Sequence, residues 1–228
     1  MKKDKSLIIW ITILLAVVLS VTVFYIKSLP ERTDGTIVSN TINEYVNREE
    51  YSFLFSLLVV NDDERYKNSA DVFKTTIEEK EIITIGRDNT VAYFYDNNIY
   101  SEFDLSYNAE KLIDAYKRFT DKIIEIFANN KVQLQYDTRV EGYDNTMYSM
   151  YVKDTELFNI FEDLTDTDFT EEISEWLITA QIVDGELISF NIYESSQNND
   201  TNVFTVDMTA LDYKYEIPEN ILIEIAQQ

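Results

Sequence analysis

The sequence contains no cysteine and no histidine among its 228 residues. Without cysteine there is no disulfide bond, no thiol nucleophile and no lipidated N-terminal cysteine. Without histidine, Ser-His-Asp and Cys-His catalysis are excluded, and the absence of both residues excludes every usual structural zinc site. An enzyme with this sequence would have to use carboxylates, lysine or tyrosine. We retain a carboxylate-based hydrolase as an alternative, and we expect no catalytic residue, cofactor or metal.

Positive charge is also scarce, since 19 lysines and arginines face 42 acidic residues and the net charge is −23. Such a surface repels nucleic acid and anionic lipid head groups, and it favours cations and basic protein partners. We therefore expect no nucleic-acid partner. With so many acidic residues a carboxylate pair is always available, so a pair by itself does not indicate a catalytic site.

The densest acidic cluster, residues 163–172, invites comparison with a calcium-binding loop. Aligning Asp166 and Asp168 with the first and third loop positions places Glu171 where the loop needs glycine. The same alignment places Leu177 where the bidentate glutamate should stand. The calcium pattern therefore fails, and we interpret the cluster as a solvated turn that leads into a strand.

Charge, glycine and proline are all absent from Leu7 to Ile26. As a helix with a rise of about 1.5 Å per residue, this run is roughly 30 Å long, which matches the hydrocarbon core of a bilayer. It is longer than a secretory h-region and lacks an Ala-x-Ala cleavage site, which favours a retained anchor over a cleaved signal peptide. Three lysines precede it, so we expect a cytoplasmic N-terminus and an external C-terminal domain.

The expected organisation has four parts. They are a cytoplasmic tail (1–6), a transmembrane helix (7–26), a linker (27–36) and an extracytoplasmic α+β domain (37–228). The chain would be a single-pass protein of the cell membrane, with the lipid bilayer as its partner through residues 7–26. Aromatic residues make up 14% of the sequence, which is ample for a packed core in one domain.

Hydrophobic periodicity predicts helices separated by short strands. Helical spacing predicts three helices, Thr36 to Val60, Asn108 to Asn129 and Thr155 to Leu164, and leaves residues 64–80 ambiguous. Alternation of apolar and polar residues predicts strands at 82–85, 90–95, 99–103, 132–140, 146–152, 173–183, 187–194 and 203–208. Asp184-Gly185 predicts a tight hairpin, and Tyr213 to Pro218 is expected to be an extended edge.

Alternation with one polar face indicates a sheet that is covered on one side only. We therefore predict an α+β fold: one N-terminal transmembrane helix, then a large and strongly curved antiparallel sheet. This sheet would form a half-barrel, with the helices lying in its concave side.

Three stretches and the order of elements resemble the lipoprotein-carrier (LolA-like) family, particularly Gram-positive envelope lipoproteins with that half-barrel. The stretches are Asn89–Tyr100, Val140–Val152 before a short helix, and the closing Tyr215–Pro218. Members of the family carry a lipidated cysteine, which this chain lacks. The apolar segment 7–26 would replace it as the anchor.

The resemblance implies a hydrophobic cavity between half-barrel and helices that holds acyl chains by burial, without catalysis. The expected lining side chains are Phe94, Met150, Trp176, Ile178, Phe190 and Ile192. The same side chains would equally form an ordinary filled core. The alternative function is an envelope interaction or assembly protein that has no small ligand and binds a basic or cationic partner through its acidic surface.

Overall fold

The structure, a computed structural model, describes residues 18, 32–61, 64–87, 90–102, 104–105, 107–140, 143–166, 175–194, 203–211 and 215–227. The chain divides into two units, residues 1–32 and residues 33–228, and the first is described only at Val18 and Arg32. Within the described ranges, no helix has both the length and the apolar character that crossing a bilayer requires. The predicted span 7–26 lies outside those ranges except for Val18, so the anchor stays a prediction.

Eleven strands form one open sheet. They are β1 (Arg32–Asp34), β2 (Glu50–Asn61), β3 (Glu64–Ile77), β4 (Lys80–Arg87), β5 (Thr90–Tyr95), β6 (Asn98–Ser101), β7 (Lys131–Val140), β8 (Tyr143–Val152), β9 (Trp176–Val183), β10 (Glu186–Glu194) and β11 (Val203–Ala210). Their spatial order is β1-β7-β8-β9-β10-β11-β2-β3-β4-β5-β6, and the pairs from β7 to β6 along this order are antiparallel. The expected α+β class with a large antiparallel sheet is confirmed.

Four helices accompany the sheet in the described ranges: α1 (Thr36–Val46), α2 (Ala109–Asn129), α3 (Thr155–Thr165) and α4 (Glu219–Ala226). Helix α2 confirms the predicted second helix, and Asn108 caps it by accepting a hydrogen bond from the Lys111 amide at 3.1 Å. The buried side chains of α1, α2 and α3 join alternate residues of the strands in one hydrophobic cluster. These three helices therefore cover one face of the sheet.

Aromatic side chains fill the centre of this core. The rings of Phe119 and Phe161 lie 5.0 Å apart, and Phe161 stacks on Trp176 with 5.5 Å between centroids and 7° between planes. All three side chains are at most 1% exposed. The Trp176 indole donates a hydrogen bond of 2.8 Å to the Asp154 carbonyl, which satisfies its one buried polar atom.

Asp154 joins helix α3 to helix α2. Its Oδ1 accepts hydrogen bonds from the amides of Glu156 (2.9 Å) and Leu157 (3.1 Å), which caps α3. Its Oδ2 lies 3.1 Å from the Lys122 ammonium of α2, and both side chains are less than a fifth exposed. Desolvation lowers the pKa of Lys122, but hydrogen bonds to Glu156, Asp154 and Glu125 outweigh it and leave this pKa raised.

The prediction of one helix from Thr36 to Val60 is wrong beyond Val46. Helix α1 ends there, and residues 50–61 form β2, while the ambiguous residues 64–80 contain β3. The error arose because Phe53 and Leu57 fit both a helical and an alternating spacing. The buried apolar residues of β2 show that alternation is the true pattern: Tyr51, Phe53, Phe55, Leu57 and Val59.

The sheet is also covered on its second face at one end, which corrects the expectation of one-sided coverage. Helix α4 buries Ile221 and Ile225 against Ile82 and Tyr93. The sequence predicted only an extended edge ahead of this position and no helix. Ile82 and its neighbour Ile83 point to opposite faces because side chains alternate along β4. The C-terminal segment therefore lies on the face opposite to α1, α2 and α3.

Substituting Gly86 of β4 tests how the C-terminal segment packs against the sheet at Tyr215. A Cβ at position 86 would lie 2.8 Å from Cζ of Tyr215, whose hydroxyl donates to Asp71 at 3.3 Å. We expect Gly86→Ala to lower the free energy of unfolding by about 1–3 kcal/mol through overpacking, measured by urea denaturation. In the Tyr215→Ala background the same substitution should cost much less, and equal costs in both backgrounds would contradict this contact.

The linkage between α2 and α3 is tested at Lys122. Lys122→Met leaves the largely buried Asp154 carboxylate without its cation, so we expect a loss of about 3 kcal/mol in urea denaturation. The matched control is Arg118→Met, because Arg118 pairs with the exposed Asp114 and Asp163. This substitution should lower the free energy of unfolding by less than about 1 kcal/mol. Similar losses in the two variants would show that the Lys122 pair has no special role.

Candidate functional site

The structure gathers five of the six predicted lining residues in the filled core. Met150, Trp176, Ile178, Phe190 and Ile192 are each at most 4% exposed. Met150 pairs with Ile178 across β8 and β9, and Ile178 pairs with Ile192 across β9 and β10, so these three stand side by side on the helix-covered face. Whether they contact a ligand stays a prediction.

The sixth residue, Phe94, is only partly buried and lies at the edge of the core. It pairs with Ile83 across β4 and β5. The ammonium of Lys117, on α2, lies 4.8 Å from the centroid of the Phe94 ring, which places a cation on its face. Phe94 therefore packs at the edge of the same core, beside α2, rather than among the five buried residues.

Ile83 and Lys117 also line a cleft between α2 and the sheet. The cleft has a volume of about 230 Å³. Its walls come from the end of α1, from β2, β3 and β4, and from the middle of α2. They are formed by Val46, Asn47, Tyr51, Lys74, Glu81, Ile83, Tyr116, Lys117, Thr120 and Asp121.

The inner wall of this cleft is part of the hydrophobic core. Tyr51, Ile83 and Tyr116 are at most 8% exposed and belong to the same buried cluster as the five predicted residues. Tyr116 lies on α2, whereas Tyr51 and Ile83 lie on the sheet. The cleft is therefore an opening at which the seam between helix and sheet reaches the surface.

Lys74 supplies a buried cation beside this opening. Its side chain is 9% exposed, and its ammonium donates to the Val46 carbonyl at 3.1 Å and pairs with Glu81 at 3.0 Å. The ammonium also lies 5.5 Å from the centroid of the Tyr51 ring. These contacts offset the cost of burying the charge, and within the described ranges the oxygen acceptors Val46 and Glu81 use two of the three ammonium donors.

Tyr51 and Tyr116 form a buried pair behind Lys74. The Tyr116 hydroxyl donates to the Tyr51 hydroxyl at 2.8 Å, and this bond joins α2 to β2. Burial raises the pKa of Tyr51 to about 12, against a smaller lowering by the bond to Tyr116. Burial also raises the pKa of Tyr116 well above its ordinary value. Both hydroxyls are therefore neutral at physiological pH.

Sequence reasoning missed Tyr51, Lys74 and Tyr116 as site residues. Tyr51 fell in a segment interpreted as helix, Lys74 in the segment left ambiguous, and Tyr116 in the predicted helix from Asn108 to Asn129. The one available signal was the small number of basic residues. In so acidic a chain many carboxylates compete for each lysine. That signal alone does not single out Lys74.

The acidic groups of the described residues do not form a metal site. No group of three or more potential metal ligands occurs in the part of the chain that the structure describes. In the acidic cluster 163–172, Asp163 pairs with Arg118 at 2.7 Å and Asp166 pairs with Lys111, while residues 167–172 lie outside the described ranges. In the cleft, Glu81 is bound to Lys74.

The tyrosine pair makes the stability of this region sensitive to alkaline pH. The folded pKa of Tyr51, about 12, exceeds its ordinary value of 10.0, so its contribution is complete below pH 10.0 and is lost as pH rises toward 12. We expect urea denaturation to show a loss of about 2–3 kcal/mol across this window. In the double variant Tyr51→Phe, Tyr116→Phe the free energy of unfolding should fall less over the same pH window, by about 2–3 kcal/mol. An equally steep loss in the variant would show that other groups cause it.

No family model matches this sequence, and no curated protein is significantly similar to it. Among solved structures, the chain is similar to LprF from Mycobacterium bovis, with 12% identity over 81% of this chain and 94% of that one, at a TM-score of 0.40. It is also similar to the lipoprotein LppX from Mycobacterium tuberculosis, with 8% identity over 81% and 97% of the two chains, at a TM-score of 0.37. A LolA superfamily protein from Nitrosomonas europaea has 9% identity over 83% and 96%, at a TM-score of 0.27. The last of these belongs to the superfamily that the sequence resembles.

Proposed function

We propose that this chain is a membrane-anchored, extracytoplasmic and non-catalytic binding domain, and that its ligand is a lipid or another apolar molecule. The ligand would lie between the helices and the concave face of a half-barrel sheet. The observation that carries this proposal is the cleft between α2 and β4, because its inner wall is continuous with the hydrophobic core. Burial of apolar surface would then supply the binding energy.

The size of the cleft limits how a ligand enters. Its volume of about 230 Å³ is below the roughly 300–1,000 Å³ of ordinary ligand pockets, so only a short apolar group fits without movement. A longer chain requires α2 to separate from the sheet at the seam between Tyr116 and Ile83. The six predicted residues would then line the enlarged space, with Phe94 nearest its mouth.

Two lysines at the mouth suit the polar end of such a ligand. Among the described residues, Lys74 keeps one donor beyond its bonds to Val46 and Glu81, and the exposed Lys117 ammonium lies over the Phe94 ring. An ester, carboxylate or phosphate oxygen could accept from both ammonium groups while its apolar part is buried. The ligand would therefore bind with its polar end outward.

The anchor supports the same function. An apolar segment at 7–26 would hold the domain next to the outer face of the bilayer, with the N-terminus in the cytoplasm. A binding domain tethered there meets membrane lipids at a high effective concentration. The segment would do what the lipidated cysteine does in the lipoproteins that the chain resembles.

A second candidate function is favoured by the filled core. Five of the six predicted lining residues are fully packed, and the Phe161–Trp176 stack leaves little space beside them. A filled core of this kind, together with a net charge of −23, is what an envelope interaction protein without a small ligand would have. Such a protein would bind a basic or cationic partner on its acidic surface.

Native mass spectrometry of the full chain, purified from the producing membrane, separates the two functions. We expect a co-purified apolar molecule on the wild-type chain. In Asp121→Trp an indole at the exposed rim of the cleft should block entry and lower the occupied fraction about tenfold. The matched control, Glu44→Trp, carries the same change at an exposed site on α1 and should keep wild-type occupancy.

The outcomes exclude one another. A bound mass that Asp121→Trp removes and Glu44→Trp keeps supports ligand binding in the cleft. A bound mass that neither variant changes places the ligand elsewhere and overturns the proposed site. A wild-type chain that carries no apolar molecule overturns the first function and leaves the second.

A further inference from the structure

The second face of the sheet carries a groove that the apolar-ligand function does not use. It lies between α4 and the turn that joins β3 to β4, and it has a volume of about 250 Å³. Ile82 lines this groove, whereas its neighbour Ile83 lines the cleft on the other face. The two sites are therefore separated by the thickness of the sheet.

The walls of the groove are apolar and partly exposed. They are formed mainly by Ile77, Ile82, Leu222, Ile223, Ile225 and Ala226. The Ile77 side chain is 37% exposed and the Ile223 side chain is 50% exposed, on two elements that face each other. Helix α4 buries Ile221 and Ile225 in the second cluster, so the exposed Ile223 is not needed to hold the helix. An exposed apolar surface of this kind is typical of interaction sites.

Carboxylates border the groove. Glu78 and Glu219 line it, and the exposed Glu79 and Glu224 are the sequence neighbours of the lining residues Glu78 and Ile223. The one cation among its lining residues, Lys80, donates to the Ile225 carbonyl at 3.2 Å and lies 5.2 Å from the Tyr95 ring centroid. Lys80 is therefore engaged in holding α4 against β4. The border of the groove is left with an excess of negative charge.

The turn that carries Glu78 and Glu79 has an uncommon backbone. Both residues adopt positive φ, 50° and 67°. The same conformation in the neighbouring hairpin is taken by Asp96 and Asn97, residue types that tolerate it better than glutamate does. A glutamate pair at these positions costs stability, which favours a use for the two carboxylates at this place.

We propose that this groove docks a polypeptide segment of a protein partner, with an apolar side chain between Ile77 and Ile223 and flanking Lys or Arg residues on Glu78 and Glu219. Charge complementarity selects this occupant, because the border carboxylates and the net charge of −23 repel an anionic lipid surface and a second copy of this acidic chain. The inference deepens the partner-binding function proposed above and is independent of the apolar ligand.

Fluorescence anisotropy with a synthetic probe tests the proposal. The probe is a labelled amphipathic peptide of leucine and lysine, and the protein is the full chain in phosphatidylcholine nanodiscs. Twin peptides replace leucine with serine or lysine with glutamate. We expect the leucine–lysine peptide to bind at least about tenfold more tightly than either twin, because both burial and charge contribute.

Variants of the chain locate the binding. Ile223→Ser and the pair Glu78→Gln, Glu219→Gln should each weaken binding about tenfold. Ile99→Ser, at another isoleucine that is 38% exposed, and the pair Glu44→Gln, Glu49→Gln, at exposed carboxylates by α1, are the matched controls and should leave binding unchanged.

Five results would overturn the proposal. If the groove variants bind the leucine–lysine peptide as tightly as the wild-type chain does, the assigned surface is wrong. If the glutamate twin binds equally well, the assigned charge complementarity is wrong. If Glu44→Gln, Glu49→Gln weakens binding and the groove variants do not, the acidic-surface function survives without the groove. Anionic vesicle binding or self-association that Ile223→Ser abolishes would assign the groove a different occupant.

Discussion

The structure depends on how an open sheet keeps its apolar face away from water. The eleven-stranded sheet places its large apolar side chains on the face that α1, α2 and α3 cover, and no second sheet is described that could replace these helices. Two of these helices, α2 and α3, are joined to each other and to β9 at Asp154. Asp154 caps α3, pairs with Lys122 of α2 and accepts the indole hydrogen of Trp176 from β9. Asp154 therefore links one strand and two helices beside the packed Phe161 and Trp176 rings.

The same constraint explains how the chain uses its few cations. Lys122 joins α2 to α3, Lys74 of β3 binds the end of α1, and Lys80 of β4 binds α4. Arg48, at the end of α1, pairs with Glu186 of β10. Basic residues thus lie largely at contacts between elements, where they stabilise the fold. The net charge of the chain is strongly negative, so the proposed protein partner would be recognised by carboxylates that border apolar side chains rather than by a basic patch.

The spacing of hydrophobic residues predicted the secondary structure correctly where it fitted only a helix or only a strand. It failed where the same residues fitted both. The strong apolar stripe of α2 and the Asp184-Gly185 hairpin were both predicted, and Gly185 adopts the positive φ of 82° that the turn needs. Residues 50–61 satisfied both a helix and a strand, and only their pairing with β3 and β11 decides between them. In β10 a bulge between Leu187 and Ser189 interrupts the alternation of the predicted strand 187–194, so that Leu187 is buried and Ile188 is only partly buried. Site residues such as Lys74 depend on which strands become neighbours, and no local pattern carries that information.

Strand β4 connects the two proposed sites and keeps them distinct. Ile83 contributes to the cleft and Ile82 to the groove, so consecutive residues of one strand serve opposite faces. Lys74 and Lys80 follow the same division, since one fixes the cleft side and the other fixes α4. A movement of α2 away from β4 would change the packing of Ile83 without requiring any change at Ile223, which lies across the sheet. A ligand in the cleft and a partner in the groove could therefore bind together, and strands β3 and β4, which each contribute residues to both sites, are the elements that could couple them.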